Sequence, residues 1–316
     1  MKKRFALVLS VLLVLSLGCM GCSSHEFVEG SGNYNITLIT MDQSDVHWAN
    51  VNAGVEAAIA ELEEDGYTIT YNWYAPDEKD NGKQIEEIDM AVSNQSDVIL
   101  IAVNDPNACN QALKEAMEYG TRVIYVDSAA NLEGEATFAT DNYTAGQMAA
   151  EEMVRILEEN GITEGTIGLV SAQAGVQSCV DRVDGFCSII EETNYDLTEV
   201  QYSESDTAKA QELATNMINN GVIALFGANE AATVGCGNAA MDSSDTIYVV
   251  GFDNSSANCS LVEKGIVQAF MAQNPYEMGY YSLYAAVQLC DGEDLGGVVV
   301  DTGVSVVTID NVAEFE

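Results

Sequence analysis

A chain of 316 residues has room for about two domains of ordinary size. Its 50 acidic residues against 11 basic ones, a net charge of -39, argue against nucleic-acid binding, because phosphate backbones repel so negative a body. With 47% hydrophobic and 19% charged residues it can bury a substantial core and is not of disordered composition.

The first residues read as a targeting segment. A basic "MKKR" precedes "FALVLSVLLVLSLG", an apolar run too short for an ordinary membrane-spanning helix. It ends in "LSLGCMGCSS", which resembles a bacterial lipobox. Residues 1–18 are therefore expected to be a signal peptide, with Cys19 rather than Cys22 carrying lipid, and residues 19–33 a polar tether. The folded part is then extracytoplasmic, joined to the bacterial membrane by its lipid anchor alone.

Beyond the tether, strands and helices alternate. "NITLIT" (35–40) precedes a helical run from about Trp48 to Glu64, "TITYNWY" one from about Asn81 to Ser93, and "DVILIAV" the helix after Pro106. "TRVIYVD" closes this set near residue 127, and "TIGLVSA", "IALFGAN", "TIYVVGFD" and "VQAFMAQN" form a second. Near-continuous apolar strands suit parallel sheets buried on both faces. The alternation predicts doubly wound α/β architecture, and the length predicts two such sheets.

Strand after strand ends in polar residues, among them Asp127, Asn229, Asp253 and Gln273. Ligands of open parallel sheets bind outside the carboxyl ends of the strands, so two facing lobes would gather these side chains into one cleft. Helix capping is the plain alternative for any single Asp or Asn, and core packing for Trp48. Catalytic signatures are lacking. "GCGNAA" (235–240) matches a dinucleotide fingerprint but falls inside a helix already begun, where its glycines serve packing. His25 and His47 are the only histidines, no phosphate-binding loop or nucleophile elbow occurs, and neither a metal nor a cofactor is expected. The six scattered cysteines beyond residue 22 read as free, buried thiols.

The stretches "NITLITMDQSDVHWANVNAGVEAA", "TRVIYVDSAA", "ATDNYTAGQMAAEEM", "CVDRVDGF", "ALFGANEAATVG", "IYVVGFDNS" and "AFMAQNPYEMGYYS" together resemble the sugar-type periplasmic binding proteins of the ribose- and galactose-binding kind. The resemblance implies a type I fold, two lobes joined by a three-segment hinge near residues 139–141, 273–275 and 302–304. One lobe would comprise 34–139 plus 274–302, the other 140–273 plus 303–316. It implies a monomeric, non-enzymatic protein that closes on a small sugar or sugar-like ligand and delivers it to an ABC transporter permease. A sensor presenting its ligand to a membrane receptor shares these features. Carried onto this chain, the family's ligand positions fall on Asp45 and Trp48, with His47 beside them, and on Asp127, Arg182, Asn229, Asp253 and Gln273. Two positions depart from the pattern. Ala102 stands where an asparagine is common, with Asn104 and Asp105 just beyond, and Ser205 stands where ribose binders place an aromatic ring.

Overall fold

The computed structural model describes residues 30–43 and 45–315. The expected signal peptide, Cys19, Cys22 and His25 lie outside the described residues. The elements are β1 (Asn33–Ile39), α1 (Val46–Glu64), β2 (Thr68–Tyr74), α2 (Asn81–Ser93), β3 (Val98–Ile101), α3 (Asn110–Tyr119), β4 (Arg122–Val126) and β5 (Ala136–Ala139). A second series runs through α4 (Asn142–Glu159), β6 (Gly165–Ser171), α5 (Gln177–Ile190), β7 (Tyr195–Leu197), β8 (Gln201–Tyr202), α6 (Thr207–Asn219), β9 (Ala224–Gly227), α7 (Glu230–Asp242), β10 (Tyr248–Phe252), α8 (Ser256–Glu263) and β11 (Ala269–Gln273). Last come α9 (Pro275–Cys290), β12 (Val298–Asp301) and β13 (Val304–Val307).

These strands build two sheets. One has the order β12-β5-β4-β3-β1-β2, the other β13-β11-β10-β9-β6-β7, with β8 also paired to β6. All pairings are parallel except β11 with β13. Each sheet buries apolar strands such as β3 (VILI) and β9 (ALFG) between helical layers, giving the two doubly wound α/β lobes expected. The chain passes between the lobes after β5, after β11 and between β12 and β13. Hydrogen bonds knit these passages together. Asp301 Oδ1 accepts from the backbone N–H of Asp141 and of Gly303, and Asn274 Nδ2 donates to the Thr302 carbonyl.

The lobes repeat one packing device. α1 meets α9 in the first lobe, and α4 meets α5 in the second. At each crossing every helix contributes a glycine under the other's backbone. Gly54 faces the Tyr276 carbonyl and Gly279 that of Val51, while Gly146 faces the Arg182 carbonyl and Gly185 that of Tyr143. Gly54 and Gly185 each follow their helix's N-cap residue (Asp45, Val176) by nine positions, and Gly146 and Gly279 follow theirs (Asp141, Asn274) by five. The two glycines of "GCGNAA" also serve packing. A methyl at Gly235 would strike Ala210 of α6, and one at Gly237 would strike Leu261. The cysteines of the described residues are free thiols, all buried except the half-buried Cys187.

One buried acid is out of keeping with its surroundings. Glu87 on α2 is only 8% exposed, and its Oε2 has no partner among the described residues. Burial pushes its carboxyl up to about 7, with Lys83 pulling weakly the other way. Because the folded value lies above the unfolded one, the native state favours the protonated acid, and stability is lost as pH rises through 7. Glu87→Gln is expected to stabilise the protein by on the order of 2 kcal/mol at pH 8 and much less at pH 5. Urea unfolding at the two pH values checks this, and an equal effect at both would contradict it.

Candidate functional site

The strand ends of both lobes converge where the chain passes between them. β4 and β10 each end in an aspartate that leaves the sheet through a left-handed turn, Asp127 with φ 62° and Asp253 with φ 74°. Non-glycine residues rarely adopt this conformation, and Asp tolerates it better than most. Each turn is held alike, the Asp127 N–H donating to Phe138 of β5 and the Asp253 N–H to Met271 of β11. Buried Asn258 adds donations from its side chain to the carbonyls of Phe252 and Asp253.

In the second lobe Arg182 is the central charge and only 4% exposed. Its guanidinium lies over the Phe252 ring, 4.3 Å from the centroid, on an aromatic column completed by Phe226 and Phe186. Nε donates to Asn142 Oδ1 at 2.8 Å, and one terminal nitrogen donates to the Ala228 carbonyl and lies 3.6 Å from Asp253 Oδ2. Asp253 also accepts from Gln273 Nε2 at 2.7 Å and from the Glu230 N–H at 3.0 Å. The cluster is thus tied directly to two interlobe passages, through Asn142 after β5 and Gln273 at the end of β11. Asn229 caps α7, its Oδ1 accepting from the Ala232 N–H.

The first lobe answers with His47, Trp48 and Asp127. Asp45 is exposed and caps α1, its carboxylate accepting from the His47 N–H. His47 Nε2 lies 3.5 Å from Asp127 Oδ1, and the imidazole meets the Trp48 ring edge-on at 4.6 Å. Burial pushes the imidazole down, but Asp127, Asp253 and Asp45 outweigh it and hold its pKa above the ordinary value. Burial pushes the Asp127 carboxyl up, yet His47, Ser128 and Arg182 hold it below the usual carboxylate range. Asp253 acts on His47 and Arg182 on Asp127, so the charges of the lobes lie within each other's field.

Trp48 is 3% exposed and belongs to the first lobe's core, but its indole N–H has no partner among the described residues. Asn104 has both amide atoms buried and unpartnered. Gln84 holds that loop, its Oε1 accepting from the Asn104 N–H and its Nε2 donating to the Ala102 carbonyl. Ala102 therefore does not leave the end of β3 without an amide, since Asn104 supplies one two residues on. The Gln273 Oε1 and the Thr140 and Thr302 hydroxyls are likewise buried and unpartnered. Trp73 packs against the core and donates to the Thr40 hydroxyl. Ser205 lies in a turn with Glu204, both at positive φ. No group of three or more candidate metal ligands occurs among the described residues, and no described helix is long and apolar enough to cross a membrane.

The arrangement suits a ligand rich in hydroxyl groups. Carboxylates accept hydrogen bonds, a guanidinium donates at fixed geometry, amides do both, and an indole offers an N–H beside an apolar face. Known proteins agree with this architecture. The ribose import binding protein of Bacillus subtilis is 23% identical over 300 residues, spanning 93% of this chain and 95% of its own. The sugar-binding protein of a Bacillus halodurans sugar ABC transporter superposes with a TM-score of 0.82 at 25% identity, over 90% of this chain and 100% of that one. An ABC transporter solute-binding protein from Agrobacterium vitis, solved with bound D-fucose, is 30% identical with a TM-score of 0.75, over 88% of this chain and 96% of its own. The sequence profile of the periplasmic binding protein domain matches residues 36–294, and the chain belongs to that family.

Proposed function

We propose that this protein is an extracytoplasmic solute-binding protein that captures an uncharged monosaccharide between its lobes by hinge closure and delivers it to an ABC transporter permease. The lobes are residues 34–139 plus 274–302 and residues 140–273 plus 303–316, with lipid on Cys19 holding the molecule at the membrane. Asp127, Trp48 and Asn104 approach the ligand from one lobe and Arg182, Asn229 and Asp253 from the other, with Gln273 at a hinge passage. Asp45 and His47 complete the rim.

The observation that carries this reading is the distribution of unsatisfied polar atoms. Of the ten buried side-chain atoms without a hydrogen-bond partner among the described residues, six lie at the start of α1, just beyond β3 or at the interlobe passages, on Trp48, Asn104, Thr140, Gln273 and Thr302. Each unmet group costs about 1–3 kcal/mol, so their concentration in one place supports a bound polar molecule there. The relatives' described ligands, ribose in one and D-fucose in another, support a sugar.

The charge balance favours an uncharged sugar. Arg182 and His47 already face Asp253 and Asp127, and Asp45 and Glu230 add negative charge. A uronate or sugar phosphate would bring an anion among these acids, where Arg182 and His47 each already face a carboxylate. Thermal-shift screening is expected to find stabilisation by one or a few neutral pentoses, hexoses or deoxyhexoses and none by sugar acids or phosphates. Preference for an anionic sugar, or no response to any sugar, would overturn the assignment.

A further inference from the structure

The sheet of the first lobe ends in a strand that lacks ordinary protection. β12 pairs with β5 and closes the sheet, so its other side has no strand partner among the described residues. Val298 is 45% exposed and Val299 73%, while Val300 packs with Leu295 against the core. Edge strands are commonly blunted by lysine, proline, a bulge or shortness, because an open apolar edge invites another strand. The other sheet ends offer less to pair with. β7 and β8 have three and two residues, β13 is half-buried or buried throughout, and the exposed positions of β2 are threonines.

The chain enters β12 through Gly296 and Gly297, both in the left-handed region with φ 63° and 70°. Together with Arg122, Glu133, Glu135 and Asp294 they line an open groove. Glu133 Oε1 lies 3.7 Å from the place a Cβ on Gly297 would take, and the Gly297 N–H donates to the Glu135 carbonyl. Arg122 donates to the Leu289 carbonyl at 2.6 Å, and three carboxylates outnumber it. An acidic groove therefore adjoins the start of the unpaired edge.

Such an edge takes up an extended segment through main-chain hydrogen bonds, and the flanking side chains choose the partner. A second copy of a chain with net charge -39 would bring like acids together. We propose that β12 docks an extended basic segment of a partner protein, with apolar residues beside Val298 and Val299 and lysine or arginine facing Glu133, Glu135 and Asp294. The segment adds antiparallel, the more stable pairing per residue, which brings its C-terminal end to the groove. β12 leads directly into Thr302 and Gly303, so the partner lies against an interlobe passage whatever the cleft holds.

Fluorescence anisotropy on the intact protein, with a labelled peptide Thr-Val-Thr-Val-Lys-Lys-Arg, tests the docking edge. The peptide is expected to bind, with affinity falling by roughly tenfold as salt rises from about 0.05 to 0.5 M. Glutamate in place of its three basic residues, or proline in place of both threonines, should weaken binding by roughly tenfold or more. Val299→Lys puts a repelling charge on the exposed edge and leaves Val300 in its packing, so it should lose the peptide while circular dichroism stays that of the wild type. Glu133→Gln combined with Asp294→Asn should weaken binding and flatten its salt dependence. No binding of the basic peptide, equal binding of the proline peptide, or unchanged binding by Val299→Lys overturns the proposal. A wild-type dimer in sedimentation that Val299→Lys dissociates also overturns it, and assigns the edge to a second copy instead.

Discussion

Arg182→Ala is expected to abolish, or weaken by roughly tenfold to over a hundredfold, the binding of any sugar that stabilises the wild type. That range corresponds to about 1.5–3 kcal/mol for a hydrogen bond from a charged donor. Free-protein stability should fall too, because Arg182 also braces its own lobe. It donates to Asn142 and to the Ala228 carbonyl, stacks on Phe252 and offsets the Asp253 carboxylate. Breaking so buried a cluster leaves acceptors and an anion uncompensated, at a cost on the order of 2–4 kcal/mol. Asp253→Asn separates the two effects. Asparagine keeps the shape and tolerates the positive φ at this position, so the fold is retained while the carboxylate is lost. Calorimetry should therefore show Asp253→Asn still folded, with its Tm lowered because Arg182 loses its facing carboxylate, and binding weakened at least tenfold. Wild-type affinity in both variants would mean that the ligand lies elsewhere.

The alternation of strands and helices was legible because parallel strands buried on both faces are runs of apolar residues, as in VILI of β3 and YVVGF of β10. The abrupt change from such a run to an acid marked Asp127 and Asp253, and both stand at strand ends. Other elements left weaker traces. β12 (VVVD) and β13 (VSVV) are separated only by Thr302 and Gly303 with no helix between them, so nothing local marks them as strands of two different sheets, and β5 (ATFA) is short and weakly apolar. Asn104 stands among the polar residues that follow the strands, but the burial of its amide is not legible locally, because Gln84 of α2 holds the loop. The contact of His47 with Asp127 joins residues from two separate helix and strand ends, and no local pattern encodes it. Asp45 and Asn229 serve visibly as caps, the local role that their position before a helix already allowed.

Least legible were the reciprocal glycines, whose partners lie far away in sequence, and they set the largest expected effect on stability. In an exposed helix interior Gly→Ala ordinarily stabilises by up to about 1 kcal/mol. At Gly54, Gly146, Gly185 and Gly279 the sign should reverse, because the added methyl would overlap a backbone carbonyl of the partner helix. A backbone carbonyl cannot rotate aside as a side chain can, so the helices must separate and forfeit packing along the crossing. Gly54→Ala and Gly185→Ala are each expected to cost on the order of 3 kcal/mol, the upper part of the overpacking range. Gly82→Ala supplies the contrast. Its methyl would meet only the Asp80 side chain at 3.1 Å, so a small change is expected. The same crossings carry the site, since α1 bears His47 and Trp48 and α5 bears Arg182. Gly146→Ala would press on the carbonyl of Arg182 itself, shifting the guanidinium from Asn142 and Asp253. Denaturant unfolding and calorimetry on this variant should therefore show stability and sugar affinity falling together. Gly54→Ala should move Trp48 and His47 against the same ligand from the opposite lobe. If either variant is as stable as the wild type, the helices do not pack through these glycines, and the rigid pairing that aligns the two halves of the cleft is lost as an explanation.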